Sequence, residues 1–453
     1  MSKACVYDVC IIGSGPAALS ALSALHEPYS ALNAAEFDRR LRRTRKLGQS
    51  KNARSRLNIC VVSPSAPAWL PEWEDRFAAM EIKYLRSPAA AHPDMFSAES
   101  LLNFARLHDR MNEVIDVGAS SSKEFYGGRI SDLDSGLFNI PSQSLFMDFC
   151  RESISNLPHT FIQGSAVDIN HECLNDDPLT CNILRVFLSG NEDSCKQVLC
   201  RNVIVATGSP GPQSIPQVVS SNISATNFTH TSSTAKLNQV ITTSAASHRV
   251  LVVGGGLSAV QAAIAVSKRG AKVVLASRRP LQWRHFDLPI NWFDPQMRNQ
   301  SRFEFLCQEP EARPEFIRST RGGGSVPPWY RRALDESSVE LYVGEISACV
   351  EQATSDTPLL ISLTSAKGTV CTLSFHHLIL ATGHTPNFQS LPLGSVLQNK
   401  WPRKIIGGLP LLETNLKWTA ETPIYLTGSV TALQSGPDAA NLMGARRCAK
   451  IIA

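Results

Sequence analysis

Two glycine-rich hexapeptides carry the chemistry most open to reading in this chain. Gly13-Ser14-Gly15-Pro16-Ala17-Ala18 follows the apolar run Val6–Ile12, and Gly254-Gly255-Gly256-Leu257-Ser258-Ala259 follows Arg249–Val253. In each, the first glycine (Gly13, Gly254) allows a tight turn. The second (Gly15, Gly256) lets the backbone approach a diphosphate, and the small residue at the third position (Ala18, Ala259) lets a helix pack closely on its strand. The unpaired amides and positive end of the helix that follows then hold the anion. Pro16 costs nothing in a first helical turn, where its N–H would have no partner. One such hexapeptide is weak evidence, because many are only turns; two, each between a strand and an Ala-rich helix, predict two dinucleotide sites.

The end of the second strand in each unit bears on which nucleotide is held. An acid there binds ribose hydroxyls. The first unit lacks one: its strand ends Val61-Val62-Ser63-Pro64, and Ser63 is expected to accept one hydrogen bond in its place. In the second unit Lys272–Ala276 ends in Ser277-Arg278-Arg279. Guanidinium groups grip a 2′-phosphate bidentately where an acid would repel it, so this site reads as one for NADPH rather than NADH. The plainer alternative is that both arginines are solvated loop charges. Each unit also closes on an apolar strand and a small-residue turn, Ala206-Thr207-Gly208 and Ala381-Thr382-Gly383, where small residues let backbone approach a dinucleotide. Near the C-terminus Gly428-Ser429 and then Pro437-Asp438 suggest a helix opening at Pro437 whose positive end faces a flavin.

These turns need a doubly wound frame to position them. The expected fold is α/β, with two Rossmann-like dinucleotide-binding domains, the NADPH domain inserted into the FAD domain. Residues 1–245 and 376–453 would form the FAD-binding part and residues 246–375 the NADPH-binding part. At 453 residues the chain is long enough for two or three domains. A formal net charge of +5 suits phosphate-bearing cofactors and is too weak to argue for nucleic acid. The twelve cysteines form no metal-type pair of CxxC motifs, and no metal site is expected. Cys195 and Cys200 would face opposite sides of a strand, which argues against a redox dithiol. No apolar stretch reaches the roughly 18 residues of a membrane span, and little chain precedes Val6 to act as a leader, so the cytoplasm is expected. Residues 27–56 are basic, a solvated segment or a dock for an acidic partner. The aromatic residues Trp283, Phe286, Trp292, Phe293, Trp329 and Tyr330 either line a substrate pocket or pack as core, and Gly322-Gly323-Gly324 beside them reads as a mobile loop.

With these residues in view, the chain resembles the glutathione-reductase-like two-dinucleotide flavoproteins. The Thr422…Tyr425…Gly428 element is similar to that family's third FAD motif, with Ser429 where the family has Asp. Within the superfamily it looks most like the class B flavin monooxygenases, especially the lysine and ornithine N-hydroxylases, and it also resembles the related oxidative-stress-induced growth inhibitor proteins. Gly254–Ala259 is similar to the GGGQSA of the N-hydroxylases, with Leu257 for Gln. Ala381-Thr382-Gly383-His384 is similar to their ATGY, and Phe228–Ser232 to their His-x-Ser stretch. Leu85-Arg86-Ser87-Pro88, with His92-Pro93, occupies the place of their flavin-proximal segment, and Val167 that of the superfamily's backbone contact to adenine. The resemblance implies FAD and NADPH as cofactors and a hydride passed to the flavin. A C4a-hydroperoxide formed with molecular oxygen would then oxygenate a small nucleophilic substrate, with Arg86 and His92 as candidate flavin-side groups. An NADPH-dependent reductase or oxidase without oxygen insertion, and a regulatory flavoprotein with little turnover, stand as alternatives.

Overall fold

The computed structural model describes residues 5–26, 57–118, 138–172, 183–189, 197–208, 211–294, 297–352 and 359–453. The basic stretch 27–56 and Cys195 lie outside the described residues. The first apolar run forms β1 (Val6–Ile12), buried over its last four residues, and α1 (Pro16–His26) starts at the proline of the glycine turn. After β2 (Ile59–Ser63), the strands β3 (Thr160–Gln163), β4 (Ser165–Glu172), β5 (Ile183–Ser189) and β6 (Gln197–Val205) complete a sheet in the order β3-β2-β1-β6-β5-β4. Strands β3, β2, β1 and β6 run parallel, and β5 and β4 join antiparallel. β1 is thus flanked by β2 and β6, which leaves a crevice at its C-terminal end where the chain turns to α1.

The second half repeats this plan. Strands β7 (Phe228–His230) and β8 (Arg249–Val253) precede α2 (Leu257–Ser267), followed by β9 (Lys272–Ser277), β10 (Val339–Glu351), β11 (Leu359–Ser365), β12 (Val370–Phe375) and β13 (His377–Leu380). The order is β12-β11-β10-β9-β8-β13-β7. β8 lies parallel between β9 and β13, as β1 lies between β2 and β6. This sheet takes β7 from before residue 246 and β13 from after residue 375, so it reaches past both limits expected for the inserted unit. The pairing of Val250–Val253 with His377–Leu380 requires this, since the Ala381 turn must stand beside the Gly254 turn. β14 (Ile424–Leu426) returns the chain to the first sheet, parallel to β6.

Helices α3 (Arg298–Leu306) and α4 (Arg313–Arg321) bring the aromatic stretch into a core shared with the first unit. Phe286, Trp292, Phe293 and Phe305 are buried among Leu19 of α1, Phe146, and Leu442 and Met443 of α5 (Leu442–Ile452). These rings pack as core, while Trp283, Trp329 and Tyr330 remain partly open. Cys10, Cys60 and Cys200 are free, buried thiols under the first sheet. Among the described residues no helix is long and apolar enough to cross a membrane.

Candidate functional site

Each glycine turn rests on the small-residue turn of its own unit. Gly13 has φ +120°, and a Cβ placed on it would lie 2.5 Å from the Ala206 carbonyl oxygen; Gly254 has φ +152°, and its Cβ would lie 2.4 Å from that of Ala381. The hydrogen bonds match as well. Gly13 N–H donates to Val62 and Ala206 N–H to Ile12, while Gly254 N–H donates to Ala276 and Ala381 N–H to Val253. Gly208 and Gly383 both take positive φ, 90° and 77°, a region where side chains are strained. The two motifs are therefore one device built twice, with the unpaired first amides of α1 and α2 facing outward beside it.

Around the first turn, the Ser63 hydroxyl meets that of Ser14 at 2.9 Å and accepts from Ser65 N–H at 3.2 Å. It knits the turn to β2. Val167 sits where the register between β4 and β5 shifts, between Ala166 and Asp168, so its backbone groups stand outside the ladder. Ser429 donates to the Gly208 carbonyl and ties the C-terminal motif to the small-residue turn. Gly15 has nothing within 4 Å of its missing side chain, so this cradle is open.

The second cradle is covered. A Cβ on Gly324 would come 2.6 Å from Gly256 Cα and 2.8 Å from Gly256 N, so the triglycine segment lies on the turn at the closest approach two backbones allow. At its rim Ser277 donates to the Arg279 carbonyl at 2.7 Å. Arg278 and Arg279 are exposed, and neither joins an ion pair among the described residues. Ser258 is exposed and Leu257 partly so. Thr382 donates to the Ser214 carbonyl and fixes the Gly383 turn from outside.

Between the cradles, the segment Leu85–His92 meets the triglycine loop. Arg86 donates through Nε to His285 O at 3.2 Å and through Nη2 to Ser325. Arg321 pairs with Asp287 and donates to Pro437 O at 2.9 Å. Burial lowers the Arg86 pKa, with Arg321 and Arg284 adding to it and Asp287 opposing. Ser87 is partly exposed beside it. His92 is fully buried. Its Nδ1 accepts from Arg446 at 3.2 Å and its Nε2 lies 3.1 Å from Ala98 O. Burial first, and Arg446 second, hold its pKa down to about 3, so it stays a neutral imidazole near pH 7 and does not take up a second proton there.

The helix expected at Pro437 begins five residues later. Pro437–Ala440 is a single tight turn; Asn441 is extended (φ −116°, ψ 172°), and its side chain caps α5 by accepting from Gly444 N–H at 2.9 Å. Asp438 is fully buried in an ion pair with Arg447. Arg447 and Arg321 had no local signal in the sequence; only the fold brings them to this turn. The same holds for a cluster by the Gly383 turn, where His230 lies ring to ring with His384 at 5.3 Å. Burial, with His384 and Arg76 beside it, lowers the His230 pKa to about 4.

The sequence profile of the pyridine nucleotide-disulphide oxidoreductase family matches residues 153–295. No curated protein sequence matches the chain. Among solved structures, the ornithine N-hydroxylase of Kutzneria sp. 744, with reduced FAD, NADP+ and L-ornithine, is 17% identical, and the match covers 99% of this chain and 98% of that one at a TM-score of 0.70. The fold is that of the ornithine and lysine N-hydroxylases. The L-lysine 6-monooxygenase of Pseudomonas syringae matches at 18% identity, over 98% of this chain and 97% of that one, with a TM-score of 0.65. The lysine monooxygenase NbtG of Nocardia farcinica matches at 15% identity, over 99% and 100%, with a TM-score of 0.57. The likeness spans the whole N-hydroxylase fold rather than a single nucleotide unit.

Proposed function

We propose that the chain is a monooxygenase that holds FAD on the first cradle and NADPH on the second and oxygenates a small nucleophilic substrate with molecular oxygen. The observation that carries this reading is the doubled contact, Gly13 on Ala206 and Gly254 on Ala381. The residues fit the groups. A diphosphate meets open space over Gly15, and a 2′-phosphate meets the unpaired Arg278 and Arg279. When bound, the flavin supplies two-electron transfer and reaction with dioxygen.

The chain's own part is placement and exclusion of water. The amides of α1 and α2 hold the diphosphates, the Gly208 and Gly383 turns let backbone stand against the nucleotides, and the buried segment Ala89–His92 walls the region between them. The N-hydroxylase fold and the reduced FAD and NADP+ of the Kutzneria structure support the cofactors. Leu257 and Ser429, where the N-hydroxylases and their superfamily have Gln and Asp, leave the substrate open. A regulatory flavoprotein is the second reading, favoured by Gly324 covering the second cradle.

Spectroscopy on the purified chain separates these. A yellow protein that NADPH reduces without oxygen, and that passes through a transient absorbance on mixing with oxygen, is the expected result. Immediate peroxide release identifies an oxidase, and bound flavin that NADPH fails to reduce identifies the regulator. Protein that stays colourless with added FAD ends the reading. Arg278→Ala with Arg279→Ala should raise the KM for NADPH by roughly tenfold or more and leave that for NADH nearly unchanged.

A further inference from the structure

Beside the Pro437–Ala440 turn, four guanidinium groups gather with three carboxylates, those of Asp438, Asp294 and Asp94. Arg446 and Arg447 come from α5, while Arg298 and Arg302 lie one turn apart on the same face of α3. Trp292 helps to bring α3 to this place: its ring lies edge-on to Phe305 at 6.3 Å and 3.0 Å from where Gly436 would carry a Cβ. Asp438 accepts from Arg447 Nη2 at 2.6 Å, and Arg447 also donates to the Ser435 carbonyl. Arg446 uses its Nη1 on His92 and the carbonyls of His92 and Asp94. Arg298 and Arg302 differ from both. Neither joins an ion pair or makes a side-chain hydrogen bond among the described residues. The Nε atoms of Arg302 and of Arg447 are buried with no acceptor. Burial, and then the Arg447 cation, lower both Arg298 and Arg302 from their ordinary value against the pull of Asp438.

Desolvated cations without acceptors weaken a fold, because each gives up water and gains nothing. The acids within electrostatic reach are Asp438 and Asp294, both buried, and Asp94 beside Arg446. Four cations against three anions leave positive charge uncompensated, which an anionic phosphate group would neutralise near neutral pH. Guanidinium forks match its oxygens bidentately.

We propose that Arg298, Arg302 and Arg447 form a binding site for an anionic phosphate group, carried by a small molecule and seated beside the Asp438 turn. The site depends on neither the flavin nor the nicotinamide assignment. The phosphate is that of a free small molecule, since the diphosphate of a dinucleotide on the first cradle is placed at the amides of α1.

The test is calorimetric titration of the full chain with inorganic phosphate at constant ionic strength, set by chloride. The wild type should bind saturably, and Arg298→Gln with Arg302→Gln should weaken binding by at least roughly tenfold. The melting midpoint of that double variant in phosphate-free buffer should equal or exceed the wild type's, since like charges have been removed; arginines that merely hold the fold would lower it. Repeating the titration on protein saturated with FAD distinguishes the sources. Binding should persist there, as a seat for a free phosphate compound; binding that disappears means that phosphate occupies the flavin's own place, which overturns the proposal. A wild type that does not bind phosphate, or a double variant that binds as well as the wild type, overturns the proposal.

Discussion

His92 illustrates how a single buried side chain ties pH to stability. In the unfolded chain it titrates near 6.5, while in the fold burial and Arg446 hold it at about 3. Between those values the unfolded state binds a proton that the folded state refuses. The stability His92 permits is therefore complete above pH 6.5 and is lost as the pH falls toward 3, by about 1.4 kcal/mol per pH unit for one proton. His230 and His377, both lowered to about 4 chiefly by burial, add to the same slope. In His92→Gln the side-chain amide can still accept from Arg446 but does not titrate. Urea unfolding at pH 7, 5 and 4 should give a variant with modestly lower stability at pH 7 and a shallower fall below pH 5.5, by one proton's worth. Parallel curves for variant and wild type would refute the assignment. The sequence drew attention to His92 through its neighbours Arg86 and Pro93, but its environment was out of reach there: the arginine against its ring is 354 residues away.

Elements were legible where local chemistry decides them. The strand, glycine turn and helix at Val6–His26 and at Arg249–Ser267 follow from apolar runs broken by glycines that must take positive φ. The C-terminal helix was misplaced because proline is a valid start both for an α-helix and for a single tight turn, and what ends the turn is Asn441. Two substitutions weigh these factors. Asn441→Ala removes a side-chain cap and should cost about 1 kcal/mol. Asp438→Asn leaves Arg447, one-tenth exposed, as a buried cation without its counter-charge, and should cost about 3 kcal/mol or more. Denaturant midpoints at neutral pH compare the two directly. If Asp438→Asn proved the milder change, the ion pair would not be what fixes the turn.

At the scale of the molecule, the duplication was visible in the sequence and the contact between the duplicates was not. A run of three glycines announces freedom, and in the fold that freedom is used for contact: Gly324 lies on Gly256, where a diphosphate would approach. Both ends of the loop are tied to the first unit's side of the molecule. Arg321 reaches Asp287 and the Pro437 carbonyl, and Ser325 receives Arg86. Two backbones and a diphosphate do not share that volume, so a nucleotide on the second cradle must lift the loop and work against these ties. Loosening one tie should therefore favour the nucleotide. Asp287→Asn takes the charge from the Arg321 pair, worth about 1 kcal/mol at a partly exposed site, which corresponds to roughly fivefold tighter binding of NADP+. Hydrogen exchange at residues 322–326 should rise in the variant even without nucleotide, while flavin content stays unchanged. Faster exchange with an unaltered NADP+ affinity would mean that the loop moves freely and does not oppose binding. Weaker binding would mean that the loop, held in place by Arg321, forms part of the nucleotide's own seat.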